Sequence, residues 1–172
     1  MGRNHDYTFK LVLAAIMGSI AVILKFVSLE TALFRVTFFD IPVIFTGIFL
    51  GPFFGGAVGF IADIGLMLFK GYPPSLMTLS SVLWGVIPGM MFYFKKKDKK
   101  PNIILFIFTI IITSVICFSI NTYQLYLWFG EGSYAQLPIR LIVMIIKIPL
   151  QISIIYTLFY VTRVIHTNIY SN

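Results

Sequence analysis

Residues 53–75 read FFGGAVGFIADIGLMLFKGYPPS. From Phe53 to Lys70 the side chains are almost all apolar or small, and the run ends in a Gly-Tyr-Pro-Pro turn. A stretch of about 18 such residues is what a helix needs to cross a hydrocarbon core ~30 Å thick. The exception is Asp63, roughly 10 Å along a helix from the outer end of the run. An ionised carboxylate at that depth is costly unless it is paired or hydrated. The stretch therefore predicts both a membrane helix and a polar partner supplied by another one.

The same texture fills the chain. Its 172 residues are 59% hydrophobic and 11% charged, whereas about a quarter of a soluble domain is charged. Apolar segments at 9–27, 41–51, 53–70, 76–94, 102–129 and 137–163 predict an all-α, integral membrane six-helix bundle, with residues 1–172 as a single domain. The second segment is short. Eleven residues at about 1.5 Å each reach only ~17 Å. Residues 34–40, FRVTFFD, are expected to carry the chain in, or the helix to be irregular or bent. Irregular backbone at membrane depth is tolerated where it is buried in protein or lines a cavity.

Six crossings put both termini on one side. Arg3, Lys10, Lys95, Lys96, Lys97, Lys99, Lys100 and Arg163 lie on that side, and Lys25, Arg35 and Lys70 on the other. Eight cations against three set the termini and the 95–100 loop in the cytoplasm. The net charge of +7 is thus a topology anchor and not a nucleic-acid surface. The first apolar stretch reads as a span rather than a cleavable signal. Cys117 is the single cysteine, so no intrachain disulfide forms and no metal site is built on paired cysteines. No phosphate-binding GxxxxGK[ST] stretch occurs.

Loops 28–40, 71–75 and 130–136 fall outside. They are aromatic and sparsely charged, with Pro and Gly, and loops of that kind can close over a ligand. Arg35 and Tyr72 are their candidate substrate-binding residues. In the sixth segment Arg140, Met144, Lys147 and Gln151 form a polar stripe on one helix face. Lys147 lies at a depth similar to Asp63, which makes Lys147 or Arg140 the expected partner of Asp63. Two cations against one acid leave a positive charge over, suited to an anionic ligand, and an arginine can grip a carboxylate through two parallel hydrogen bonds. The outer half of the fifth segment, NTYQLYLWFG, gathers Asn121, Tyr123, Gln124, Tyr126 and Trp128. Tyr126 and Trp128 also suit an interfacial aromatic belt. Asn121 lies deeper, where an amide can read the edge of a heterocycle. Trp84, in the fourth segment, could stack on such a ring or pack in the core. In the first segment Ala14 and Gly18, and in the next register Ala15 and Ser19, have the small-residue spacing that admits another helix.

AAIMGSIA, FDIPVIFTGIFLGPFFGGAVGFIADIG, YPPSLMTLSSVLWGVIPG and NTYQLYLWFG followed by LPIRL and IPLQ resemble, in order along the chain, the S components of energy-coupling factor (ECF) vitamin transporters. The NTY, LPIR, DIP and GP regions look most similar to the folate-type members. The resemblance implies a vitamin-binding subunit of a bacterial cell membrane, multi-pass, with its ligand pocket near the extracellular side. It implies partnership with a transmembrane coupling subunit, EcfT, and two ATPase subunits that bind the ATP. The first-helix small residues, Ala14, Ala15, Gly18 and Ser19, would then contact the coupling subunit. Folate suits the residues as well: its glutamate tail could meet Arg140, and its pterin ring the aromatics with Asn121 or Asp63. Other members of the family bind hydroxymethylpyrimidine, pantothenate, riboflavin or queuosine precursors. The glycine-poor form of the 71–75 loop leaves those substrates open.

Three further readings are weighed against this one. An intramembrane enzyme lacks a membrane His, paired carboxylates or metal spacing. A self-sufficient carrier using Asp63 lacks an obvious internal repeat. A membrane scaffold would bind no small ligand. No cofactor of the chain's own is expected.

Overall fold

The computed structural model describes residues 2–30, 35–71, 73–94 and 103–170. Tyr72 and the lysine run at 95–100 lie outside them, and of Arg35 only the backbone is described. Within these residues the chain forms α1 (Gly2–Phe26), β1 (Leu29–Glu30), β2 (Arg35–Val36), α2 (Asp40–Leu50), α3 (Pro52–Lys70), α4 (Leu76–Phe94), α5 (Ile103–Phe129), the 3-10 turn η1 (Gly130–Gln136) and α6 (Leu137–Tyr170).

The boundaries follow local chemistry. Gly51 has φ 104° and its N–H reaches back to the Gly47 carbonyl, which closes α2. Pro52 follows at the first position of α3, where its missing N–H and fixed φ do no harm. Gly71 closes α3 with φ 68° and a hydrogen bond from its N–H to Met67 O.

Residues 7–26, 52–70, 76–93 and the stretch 103–161 are long and apolar enough to cross a membrane, whereas α2 is shorter. Large apolar side chains such as Ile23, Phe60, Leu68, Phe108 and Ile145 are exposed around the bundle, a surface that suits lipid and not water.

Short α2 is the hub. Its residues 40–47 are buried on every face, and it packs on α1, α3, α4 and α6. A helix apolar all round is stable only when surrounded. Of the two expectations for its shortness, an irregular or bent helix is not what forms. The helix is regular from Asp40, and ahead of it β1 and β2, two residues each, pair antiparallel, Leu29 with Val36 and Glu30 with Arg35.

Glycines set how near α2, α3 and α4 approach. A Cβ at Gly85 would fall 2.2 Å from the Gly55 carbonyl, and one at Gly47 would fall 2.2 Å from the Gly85 carbonyl. Only bare backbone fits there.

Candidate functional site

Lys25, in the last turn of α1, donates to Asp63 Oδ1 and, at 2.8 Å, to Ser81 Oγ. Thr78 Oγ1 donates to Asp63 Oδ2, and Ser81 Oγ lies 3.3 Å from Oδ1. Lys25 and Asp63 are each 5% exposed. The ammonium also sits 4.2 Å from the centroid of the Phe39 ring. The expected pairing of Asp63 with Lys147 or Arg140 is therefore replaced. The reason is packing: α3 lies against α1, α2 and α4, while α6 lies against α2, α5 and η1. Similar depth along two helices does not make them neighbours. Thr78, Ser81 and Trp84 recur every three residues, so one face of α4 serves this cluster and continues to the next.

Lys147 pairs with Asp40, the first residue of α2. Its Nζ lies 2.9 Å from Asp40 Oδ2, a close ion pair rather than an aligned hydrogen bond. The carboxylate is fully buried, and the Lys147 side chain keeps 18% of its surface. The ammonium lies 5.8 Å from the Trp84 ring centroid and 6.0 Å from that of Phe38. Phe38 and Phe39 thus each face one of the two lysines, and Asp40 follows directly. Lys25 is also within electrostatic reach of Asp40. Asp40 was not singled out from sequence, because an acid opening a helix reads as an ordinary terminal residue. The available signal was its place at the head of a helix too short to span.

Arg140 is arranged differently. One guanidinium nitrogen lies 3.2 Å from Thr122 Oγ1, and the group faces the Phe118 ring at 5.2 Å. No carboxylate pairs with it among the described residues. The α6 stripe points inward: Arg140, Met144 and Lys147 are part-buried and Gln151 is buried, while Leu141, Ile142, Ile145 and Ile146 are exposed. Trp84 is buried in the core cluster.

On α5, Asn121 is part-buried and Tyr123 is exposed. Tyr123 is thus turned away from the buried polar groups, with Tyr126 and Trp128 also exposed. Gln124 is buried, and its Oε1 accepts from the Leu76 N–H at 2.9 Å, satisfying the start of α4. Asp40 Oδ1, Ser114 Oγ, Asn121 Oδ1 and Gln151 Nε2 are buried without a hydrogen-bond partner among the described residues. Such atoms are destabilising by about 1–3 kcal/mol each until something supplies the partner.

The small residues of α1 divide by face. Gly18 is buried, 4.0 Å in Cβ reach from the Ile61 side chain of α3, and Ala14 is part-buried. Ala15 and Ser19 are exposed, and the Ser19 hydroxyl is satisfied by the Ala15 carbonyl at 3.0 Å. The outward register is therefore 15 and 19, small and without unmet polar groups.

Chemically, the buried region holds two lysines neutralised by carboxylates, a guanidinium facing only a hydroxyl and a ring, a tryptophan, and several unsatisfied polar atoms. That combination can take a ligand with both an aromatic polar ring and an anionic group.

Residues 9–159 match the family model of the ECF transporter substrate-specific component. The chain is 34% identical over 138 residues to the folate transporter FolT of Clostridium novyi (strain NT), covering 78% of each protein. Its fold is similar to a crystal structure of FolT bound with folic acid, with TM-score 0.74 and 27% identity over 86% of this chain and 90% of that one. It is similar in fold also to the S component of a bacterial ECF transporter, with TM-score 0.68, 20% identity, and coverage of 91% and 96%.

Proposed function

The chain belongs to the substrate-specific components of ECF transporters, and from that premise we propose that its substrate is a folate. The family binds and delivers a substrate, so this is a transport subunit and not an enzyme. Folate is supported by the curated relative and by the fold of FolT bound with folic acid. The observation within the chain that carries the reading is the asymmetry of its cations. Lys25 and Lys147 each sit against a buried carboxylate, while Arg140 sits against Thr122 and Phe118. Arg140 is the group for the glutamate tail, with two parallel hydrogen bonds to a carboxylate. Trp84, Asn121 and Lys147 border the place for the pterin ring.

In this reading the six helices lie in a bacterial cell membrane with both termini cytoplasmic and the ligand pocket near the extracellular side. The excess of cations on the side of the termini and the 95–100 loop supports that orientation. Loops 28–40, 71–75 and 130–136 fall on the extracellular side in this orientation, which makes Arg35 and Tyr72 candidate substrate-binding residues. The Ala15–Ser19 face of α1 meets the transmembrane coupling subunit EcfT. Two ATPase subunits bind the ATP, and the chain itself needs no cofactor.

Calorimetric titration of the detergent-purified protein with folic acid, riboflavin, pantothenate and hydroxymethylpyrimidine tests the substrate. Saturable binding of folic acid alone is expected. Saturable binding of a different vitamin, with none of folic acid, overturns folate while leaving the family in place.

A further inference from the structure

We infer that Asp40 is a positioning residue of the substrate site: it holds the Lys147 ammonium in a net-neutral pair, as a hydrogen-bond donor to a ring carbonyl of the substrate, leaving the anionic end to Arg140. This rests on the folate reading and adds a residue and a specificity rule to it.

The two partners are unequal. Asp40 is wholly buried and Lys147 retains 18% of its side-chain surface, so a ligand meets the lysine and not the acid. An ammonium carries three donors. Asp40 Oδ2 lies 2.9 Å from it as an ion-pair partner, and Lys147 donates to no aligned acceptor among the described residues. The ammonium is flanked by the rings of Trp84 and Phe38, surroundings that suit a flat heterocycle.

Charge decides what those donors recognise. A lone ammonium beside aromatic rings attracts any anion. An ammonium cancelled by a fixed carboxylate has little net field, and its protons become directional donors to a neutral acceptor. Asp40 is fixed because it is fully buried at the start of α2, where the helix N-terminus favours its negative charge, and α2 itself packs on four helices. A pterin ring carries one carbonyl, at C4. Replacing that oxygen by an amino group sets a donor against the ammonium.

The experiment compares folic acid with its 4-amino-4-deoxy analogue, which has the same glutamate tail, by calorimetry on the purified protein. The wild type is expected to prefer folic acid by about ten- to hundredfold, the range for a hydrogen bond to a charged group. D40N is expected to lose most of that preference, and D40E to restore it, whereas a purely structural Asp40 would change both affinities alike. K147M removes the donor and is expected to abolish the preference too, and the double variant D40N/K147M, which strands no charge, keeps the test available if either single variant does not fold. Folic acid and the analogue binding the wild type equally, or D40N, K147M or the double variant binding with the preference intact, overturns this inference and leaves the folate reading standing. A wild type that binds neither overturns both.

Discussion

Lys25 and Asp63 are thirty-eight residues apart in sequence and joined in a buried ion pair that ties α1 to α3. Thr78 and Ser81 bring α4 into the same knot. Asp63 thus accepts from a cation and a hydroxyl, with a second hydroxyl alongside, which answers how an acid persists at that depth. Removing one partner strands a charge in a low-dielectric interior. Asp63→Leu or Lys25→Met alone is expected to lower stability by about 3–5 kcal/mol, and the double variant to recover most of that loss. Thermal unfolding of the three variants in detergent checks this. Additive losses in the double variant would mean that the pair is not coupled.

Arg140 has a hydroxyl and a ring for company, and no acid among the described residues. Arg140→Ala should therefore weaken folic acid by roughly 1.5–3 kcal/mol, about ten- to hundredfold. The tail diester of folic acid, which lacks the anion, should change by much less. Equal losses for acid and diester would mark the arginine as structural. Arg140→Lys should restore only part of the affinity, because a point charge does not reproduce a planar two-bond grip.

The contact of α3 with α4 leaves no room for a methyl group at Gly59 or Gly85. A Cβ on Gly59 would fall 2.0 Å from the Ser81 carbonyl oxygen, and one on Gly85 would fall 2.2 Å from the Gly55 carbonyl. Backbone cannot rotate away as a side chain can. Gly59→Ala and Gly85→Ala are each expected to cost at least the 1–3 kcal/mol typical of overpacking, about that much or more. Gly132, where nothing lies within 4 Å, should accept alanine with a stability change within about 0.5 kcal/mol. Melting temperatures of the three variants decide the matter.

Helices were legible as apolar runs, several of them closed by Gly or Pro, as at Gly51-Pro52, Gly71 and Gly130. The inward stripe of Arg140, Lys147 and Gln151 was legible for the same reason, since it depends only on spacing within one helix. Partnership was not. Asp63 and Lys147 have similar depths, but which helices adjoin is fixed by side packing, and the glycines of α2, α3 and α4 draw those three together. That places α1 beside Asp63 and α2 beside Lys147. Lys25 counts in the sequence as a charge on the outer side and Asp40 as the last residue of the 34–40 lead-in, because a residue near a segment's end gives no sign of turning inward. Tyr123 illustrates the converse: one residue before the buried Gln124 on α5, it still points outward.

The two registers of small residues on α1 are separated by their neighbours. Gly18 packs against α3 through Ile61, so a large side chain there acts on the fold. Ala15 and Ser19 face outward with no unmet polar group. A bulky residue at either keeps the bundle intact and denies close approach to another helix. Ala15→Trp and Ser19→Trp are therefore expected to bind folic acid within about twofold of wild type, a difference of about 0.4 kcal/mol. The same variants should fail to co-purify with the coupling subunit and its ATPases and should lose ATP-driven uptake in vesicles. Gly18→Leu should lower the melting temperature before it affects assembly. Intact assembly of both tryptophan variants would move the coupling surface to another face of the bundle.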